Sequence, residues 1–168
     1  MKIREGDEPI FLSLPSTYGR LERERYEDKW IILFFYHKDF AVGCDMDIGV
    51  FIENTYKLKE AGVELIGVSP DPLEEHFKFS VQKGIKFELV SDQKGEMAQL
   101  YGTLKTRNPI NFKRKAFLIS PEFHVLKEYN GRKTVLYPLE ILYDVDFLQE
   151  IIKKDIKYKP KAYLYILK

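Results

Sequence analysis

The 168-residue chain contains one cysteine, three histidines and no long hydrophobic run. A single cysteine excludes a disulfide within the chain, so oxidation could link it only to another molecule. The longest apolar run, residues 30–36, is much shorter than the roughly 20 residues that a transmembrane helix needs. The N-terminus is charged and lacks the apolar core of a signal peptide, so we expect a cytoplasmic protein.

The charges are almost balanced. Lys and Arg number 27 and Asp and Glu 26, which gives a net charge of +1. This balance argues against a nucleic-acid or membrane-surface partner. The histidines are scattered and do not form a recognisable zinc pattern with the cysteine, so we expect no metal.

Strand and helix patterns alternate along the chain. The predicted strands are 10–14, 30–36, 63–68, 87–90, 116–119 and 125–129, and the predicted helices are 44–60, 71–83, 95–101 and 144–156. Leu73, Phe77 and Val81 form the predicted apolar stripe of helix 71–83, and 103–113 is predicted to be a loop. Alternation predicts βαβ units, and the two late strands predict an antiparallel hairpin. The sequence therefore predicts a thioredoxin-like three-layer α/β/α sandwich with a mixed sheet over 1–156. Residues 157–168 form an extension, either an extra strand or a partner contact.

Cys44 stands where the buried strand 30–36 is followed, after a short loop, by a helix. A thiol in the first turn of a helix lies near unpaired N–H groups and the positive end of the helix dipole. Both favour the thiolate, which is the reactive form. A lone cysteine can equally be a small buried hydrophobe, and position alone leaves both interpretations open.

Several segments, in order, resemble the peroxiredoxins, and specifically the bacterioferritin comigratory protein branch of the alkyl hydroperoxide reductase/thiol-specific antioxidant family. The matching segments are Gly6-Asp-Glu-Pro-Ile-Phe-Leu-Ser-Leu14, Leu33-Phe-Phe-Tyr-His-Lys-Asp-Phe-Ala-Val-Gly-Cys44, Glu64-Leu-Ile-Gly-Val-Ser-Pro-Asp71 with His76 and Phe79, Leu89-Val-Ser-Asp92 and Arg114-Lys-Ala-Phe-Leu-Ile119. The resemblance covers roughly the first 130 residues.

The resemblance implies a thiol-dependent peroxidase in which the Cys44 thiolate attacks a hydroperoxide and becomes a sulfenic acid. Arg114 matches the arginine that lies near the sulfur, where a permanent cation favours the thiolate. Asp47 occupies the position of a Glu that orients this arginine. The resemblance also implies a substrate-binding set, which consists of Phe40, Ala41, Gly43 and Asp47. It implies that the protein needs no cofactor and receives its electrons from thioredoxin, glutaredoxin or a small thiol. It also implies that the protein is a monomer or a homodimer.

The chain departs from the family at the site. Ala41 replaces a threonine whose hydroxyl aligns the peroxide, and His37 and Val42 replace two loop prolines. Gly49 replaces the second cysteine of many members, which implies a single-cysteine mechanism. The alternatives are a degenerate peroxiredoxin fold that senses oxidant or binds a partner, and a structural module with an inert Cys44.

The histidines carry one further hypothesis. His37, at the end of the central strand, could act on Cys44 as a base or ion-pair partner, or simply lie exposed in place of the proline. His76 is predicted to be an exposed helix residue and His124 a hairpin residue, neither with catalytic partners.

Overall fold

The structure is a computed structural model that describes residues 1–132 and 137–153, with the backbone alone described at 42–45. The strands in these ranges are β1 (Pro15–Ser16), β2 (Gly19–Arg20), β3 (Trp30–Phe35), β4 (Val63–Ser69), β5 (Glu88–Ser91), β6 (Leu104–Arg107), β7 (Ile110–Phe112), β8 (Lys115–Ile119) and β9 (Val125–Asn130). The helices are α1 (Val42–Glu60), α2 (Leu73–Lys83), α3 (Glu96–Leu100) and α4 (Tyr137–Lys153), with a 3-10 turn at Arg23–Tyr26.

Seven strands form one mixed sheet in the order β2-β1-β5-β4-β3-β8-β9. Strands β3, β4 and β5 are parallel, whereas β8 is antiparallel to both β3 and β9. Because β8 runs opposite to β3, its first residue lies at the same edge of the sheet as the last residue of β3. The predicted fold class and the predicted late hairpin are confirmed.

The two faces of β3 serve two separate cores. Ile32 and Phe34 point into a cluster completed by α1, α2 and α4. Ile31, Leu33 and Phe35 point into a second cluster under α3, the β6–β7 hairpin and the N-terminal segment. Alternation of side chains along a strand buried on both faces explains why 30–36 is apolar throughout.

The structures predicted for two segments are wrong. The predicted strand 10–14 forms no ladder, and its apolar residues instead pack half-buried against the second core. The predicted loop 103–113 contains the hairpin β6–β7, which turns around Asn108 and Pro109. The hairpin was not predicted because turn residues dominate the sequence of this segment. Leu104, Ile110 and Phe112, on either side of the turn, contact the second core.

The apolar stripe predicted for α2, namely Leu73, Phe77 and Val81, is also wrong. Phe77 and Val81 are 47% and 84% exposed, while His76 and Phe79 are fully buried. A polar residue takes an interior position because its ring finds hydrogen-bond partners there, described below.

Two helices start at residues other than the predicted ones. Helix α2 begins at Leu73, two residues after the predicted start at 71, and α4 begins at Tyr137, seven residues before the predicted start at Asp144. The extension 157–168 lies outside the described residues, so its predicted strand or partner contact stays a prediction. Within 1–132 and 137–153, no helix has the length and apolar character to cross a bilayer.

Candidate active site

The loop that follows β3 leads into the first turn of α1. Ala41 is the N-cap residue, with extended backbone angles and no side-chain hydrogen bond to the helix. Cys44 is the third residue of α1, so it belongs to the turn whose N–H groups have no partner inside the helix. At 42–45 only the backbone is described, so the Cys44 side chain lies outside the described part of the structure.

Arg114 is fixed by a bidentate ion pair with Asp47. Its Nε and Nη2 atoms donate to the two carboxylate oxygens of Asp47, each at 2.7 Å. Cys44 precedes Asp47 by three residues, so their Cα atoms lie on the same side of α1. The ion pair therefore ties Arg114, the residue immediately before β8, to the side of the helix that carries Cys44. The shorter Asp makes the arginine contact that the resemblance assigns to a Glu.

The ion pair is largely enclosed. The Asp47 side chain is 3% exposed and that of Arg114 28%. Burial raises the pKa of the Asp47 carboxyl above its ordinary value, and the hydrogen bonds and charge of Arg114 limit the rise. The guanidinium lies 5.6 Å from the centre of the buried Tyr137 ring. Arg114 is therefore held on one side and partly open on another.

Gly131 allows Arg114 to take this position, and sequence reasoning missed it. The Gly131 N–H donates to the Arg114 carbonyl at 2.8 Å. A Cβ atom at position 131 would lie 2.9 Å from the Arg114 Cβ and 3.0 Å from its carbonyl oxygen. Only glycine fits this approach without a backbone shift. The signal in the sequence was the Asn130-Gly131 pair that follows the predicted last strand.

A buried polar network fixes the loop before α1. The Tyr36 hydroxyl donates to Asp39 at 2.6 Å, and His76 Nδ1 lies 2.7 Å from the other Asp39 oxygen. The Asp39 N–H donates to Asp71 at 2.9 Å, and Ser69 donates to the same Asp71 oxygen at 2.5 Å. The prediction of an exposed His76 is wrong, because the network supplies a partner that its sequence neighbours do not reveal.

Asp39, Asp71 and His76 also form a group of metal-ligand type. One possible ligand atom from each lies within 4.8 Å of the others, and all three residues are buried. In the structure these atoms are hydrogen-bonded to one another and to Tyr36 and Ser69. These hydrogen bonds explain why the three residues lie together: they anchor the loop before α1.

The remaining predicted residues fall on different sides of this loop. Phe40 has a left-handed φ of 63° and packs edge-on against Phe79, with ring centres 4.8 Å apart. It lines a groove on the α2 side. His37 is exposed and lines a cavity of about 400 Å³ together with Arg114. The structure brings Arg114, Asp47 and His37 to one side and places Phe40 on another.

Comparisons with known proteins agree with the resemblance to the peroxiredoxins. The AhpC/TSA family model matches residues 12–129. Peroxiredoxin Bcp of Bacillus subtilis is 28% identical over 156 residues, covering 89% of this chain and 99% of the relative. The putative peroxiredoxin Bcp of Coxiella burnetii is 30% identical over 128 residues, covering 73% and 85%. A structure of Xanthomonas campestris peroxiredoxin Q has a TM-score of 0.74 at 25% identity, covering 82% of this chain and 91% of that one.

The fold is the thioredoxin-like fold of solved peroxiredoxin structures, and the match to the AhpC/TSA family model shows that the chain belongs to this family. Within that family its relatives place it in the bacterioferritin comigratory protein branch of the peroxiredoxins.

Proposed function

We propose that the protein is a peroxiredoxin that reduces hydrogen peroxide or alkyl hydroperoxides with Cys44 as its single reactive thiol. The Cys44 thiolate attacks one peroxide oxygen, the O–O bond breaks, and the sulfur becomes a sulfenic acid. The other oxygen leaves with the electron pair, takes a proton and departs as water or an alcohol. No bound cofactor takes part in these steps.

The observation that carries the proposal is the orientation of Arg114 by Asp47 on the helix that bears Cys44. A fixed cation favours the thiolate, and its N–H groups can donate to the oxygen that acquires negative charge. The first-turn N–H groups of α1, among them those of Gly43 and Cys44, would add further donors. Relatives named peroxiredoxin over most of the chain support the same chemistry.

Because Cys44 is the only cysteine of the chain, the sulfenic acid must be reduced by an external thiol. Thioredoxin, glutaredoxin and small thiols are the candidate reductants. A protein with a degenerate site, which senses oxidant or binds a partner, is the second candidate. It is favoured by Ala41, which brings no hydroxyl to the start of α1.

Dimedone trapping tests the proposal. The protein is mixed with one equivalent of hydrogen peroxide, and labelling at Cys44 is measured by mass spectrometry, with Cys44→Ser as the control. Rapid labelling, together with continued peroxide consumption in the presence of dithiothreitol, is the expected result. Labelling without turnover would favour the sensor, and no labelling would exclude both.

A further inference from the structure

The cavity beside Arg114 is unusually basic. Its described lining includes four basic residues and His37, together with Asn111, Phe112 and Gly131, and the basic residues are Lys105, Lys113, Arg114 and Arg132. Asp47 balances only Arg114. Among residues 1–132 and 137–153, no carboxylate forms an ion pair with the other three cations. A chain with a net charge of only +1 therefore concentrates three positive charges at one opening.

The hairpin β6–β7 and the ends of β3 and β9 build this cavity. Lys105 comes from β6, Asn111 and Phe112 from β7, and Arg132 follows β9. The Asn111 Oδ1 atom is buried and accepts no hydrogen bond from the described residues. At about 400 Å³ the cavity has the size of a small-molecule site. Its lining thus offers cations, one unused acceptor and an apolar ring.

We propose that this cavity binds a small thiol that carries carboxylate or phosphate groups, and that this thiol reduces the oxidised Cys44. The inference rests on the proposed function. Hydrogen peroxide and simple alkyl hydroperoxides are neutral, so three cations do not help to attract them. An attacking thiolate is itself an anion, and a basic opening raises both its local concentration and its rate of encounter.

The reduction needs two thiol molecules. The first thiolate attacks the Cys44 sulfur, the S–O bond breaks, and the oxygen leaves as water after taking up protons. The product is a mixed disulfide between Cys44 and the small thiol. A second thiolate attacks the small-thiol sulfur, releases the Cys44 thiolate and leaves as a symmetric disulfide. The two thiols supply the two electrons that the hydroperoxide removed.

The test compares thiols of different charge on the oxidised protein. Cys44 is oxidised with one equivalent of hydrogen peroxide, catalase removes the excess, and the loss of sulfenic acid is followed by dimedone quenching. The probes are mercaptosuccinate, 2-mercaptoethanol and cysteamine, which carry two negative charges, none and one positive charge. Rates are expressed per thiolate and divided by the rate of the same thiolate with a neutral small disulfide, so that differences in thiol pKa and in intrinsic nucleophilicity cancel.

We expect mercaptosuccinate to react at least about tenfold faster than 2-mercaptoethanol, and cysteamine more slowly than either. The double variant Lys105→Gln/Lys113→Gln should lose most of this advantage, and 0.5 M salt should do the same, because salt screens exposed charges. The control is Lys29→Gln, an exposed lysine at the opposite end of β3. It should keep the full advantage.

Equal rates for the three thiols, or equal rates for the double variant and the control, would overturn the inference. A second result would also overturn it. If the double variant were oxidised more slowly by linoleic acid hydroperoxide, but not by tert-butyl hydroperoxide, and its reduction by thiols were unchanged, the cavity would serve an anionic substrate. A wild type that forms no sulfenic acid would instead refute the proposed function, so the two failures are distinct.

Discussion

At the scale of single residues, we propose that Ala41 limits the rate that the site can reach. It occupies the N-cap of α1 and brings no hydroxyl to a position where the sequence resemblance implies a threonine. A lost hydrogen bond to a partly charged centre costs about 1.5–3 kcal/mol, which is roughly ten- to a hundredfold in rate. The structure adds that an N-cap hydroxyl would also stabilise the helix, by about 0.5–2 kcal/mol.

The variant Ala41→Thr should therefore react faster with hydrogen peroxide than the wild type, by roughly ten- to a hundredfold. Ala41→Val is the matched control, because valine has the shape of threonine without the hydroxyl. Single-turnover loss of the Cys44 thiol measures both. If the Thr and Val variants react at the same rate, the missing hydroxyl does not limit this site.

Asp47 gives a pH-dependent prediction. Its pKa is raised above the ordinary value of 3.8, so the native protein binds this proton more tightly than the unfolded chain does. Ionised Asp47 thus reduces stability as the pH rises from about 3.8 through the raised pKa. Urea unfolding of the wild type and of Asp47→Asn across that range measures the difference. The wild type should lose stability relative to the variant with rising pH, and a gain would show that Arg114 lowers the pKa instead.

At the scale of elements, the ends of β8 and β9 must approach closely to place Arg114. Gly131→Ala would put a methyl group 2.9 Å from the Arg114 Cβ, so the strand start should shift and the reaction with peroxide should slow. Gly49→Ala is the matched control, since a Cβ there meets nothing within 4 Å, and it should stabilise α1 by about 0.5–1 kcal/mol. Peroxide rates and thermal unfolding of both variants check this. An unaffected rate in Gly131→Ala would contradict the account.

The loop between β3 and α1 depends on α2 through the buried Asp39–His76 pair. His76→Ala leaves the buried Asp39 without this hydrogen-bond partner, which should cost about 1–3 kcal/mol of unfolding free energy. His37→Ala, at an exposed position, should change the stability by less than about 0.5 kcal/mol. Urea denaturation gives both values. A cost below about 1 kcal/mol for His76→Ala would mean that the pair does not anchor the loop.

Elements with strong periodicity could be predicted from the sequence, and those defined by distant contacts could not. Strand β3 and helix α1 follow from their own residues. The buried face of α2 does not, because the interior position of His76 depends on partners far away in the sequence, namely Asp39, 37 residues earlier, and the Val90 carbonyl. The hairpin β6–β7 was missed for a similar reason, since its apolar residues are few and pack against a core made elsewhere.

At the scale of the whole molecule, the family resemblance predicts that Cys44, Arg114 and Asp47 are neighbours, and the structure shows the contact between Arg114 and Asp47. The structure adds how Arg114 is oriented, why Gly131 must follow β9, and that a basic cavity lies beside the arginine. The cavity could not be predicted from composition. The net charge of +1 is a sum over the whole chain, in which acidic residues elsewhere cancel the basic residues of the cavity. The cytoplasmic location and the single domain over 1–156 stay predictions.

The most direct test of the central claim is the second-order rate constant for the reaction of Cys44 with hydrogen peroxide, measured in the wild type and in Arg114→Gln. Arg107→Gln, an exposed arginine at the end of β6, is the matched control. The wild type and the control should react alike, and Arg114→Gln should be slower by about ten- to a hundredfold, the value of one charge-assisted contact to the reacting oxygen. Equal rates in all three proteins would show that Arg114 does not assist the thiol and would contradict the account.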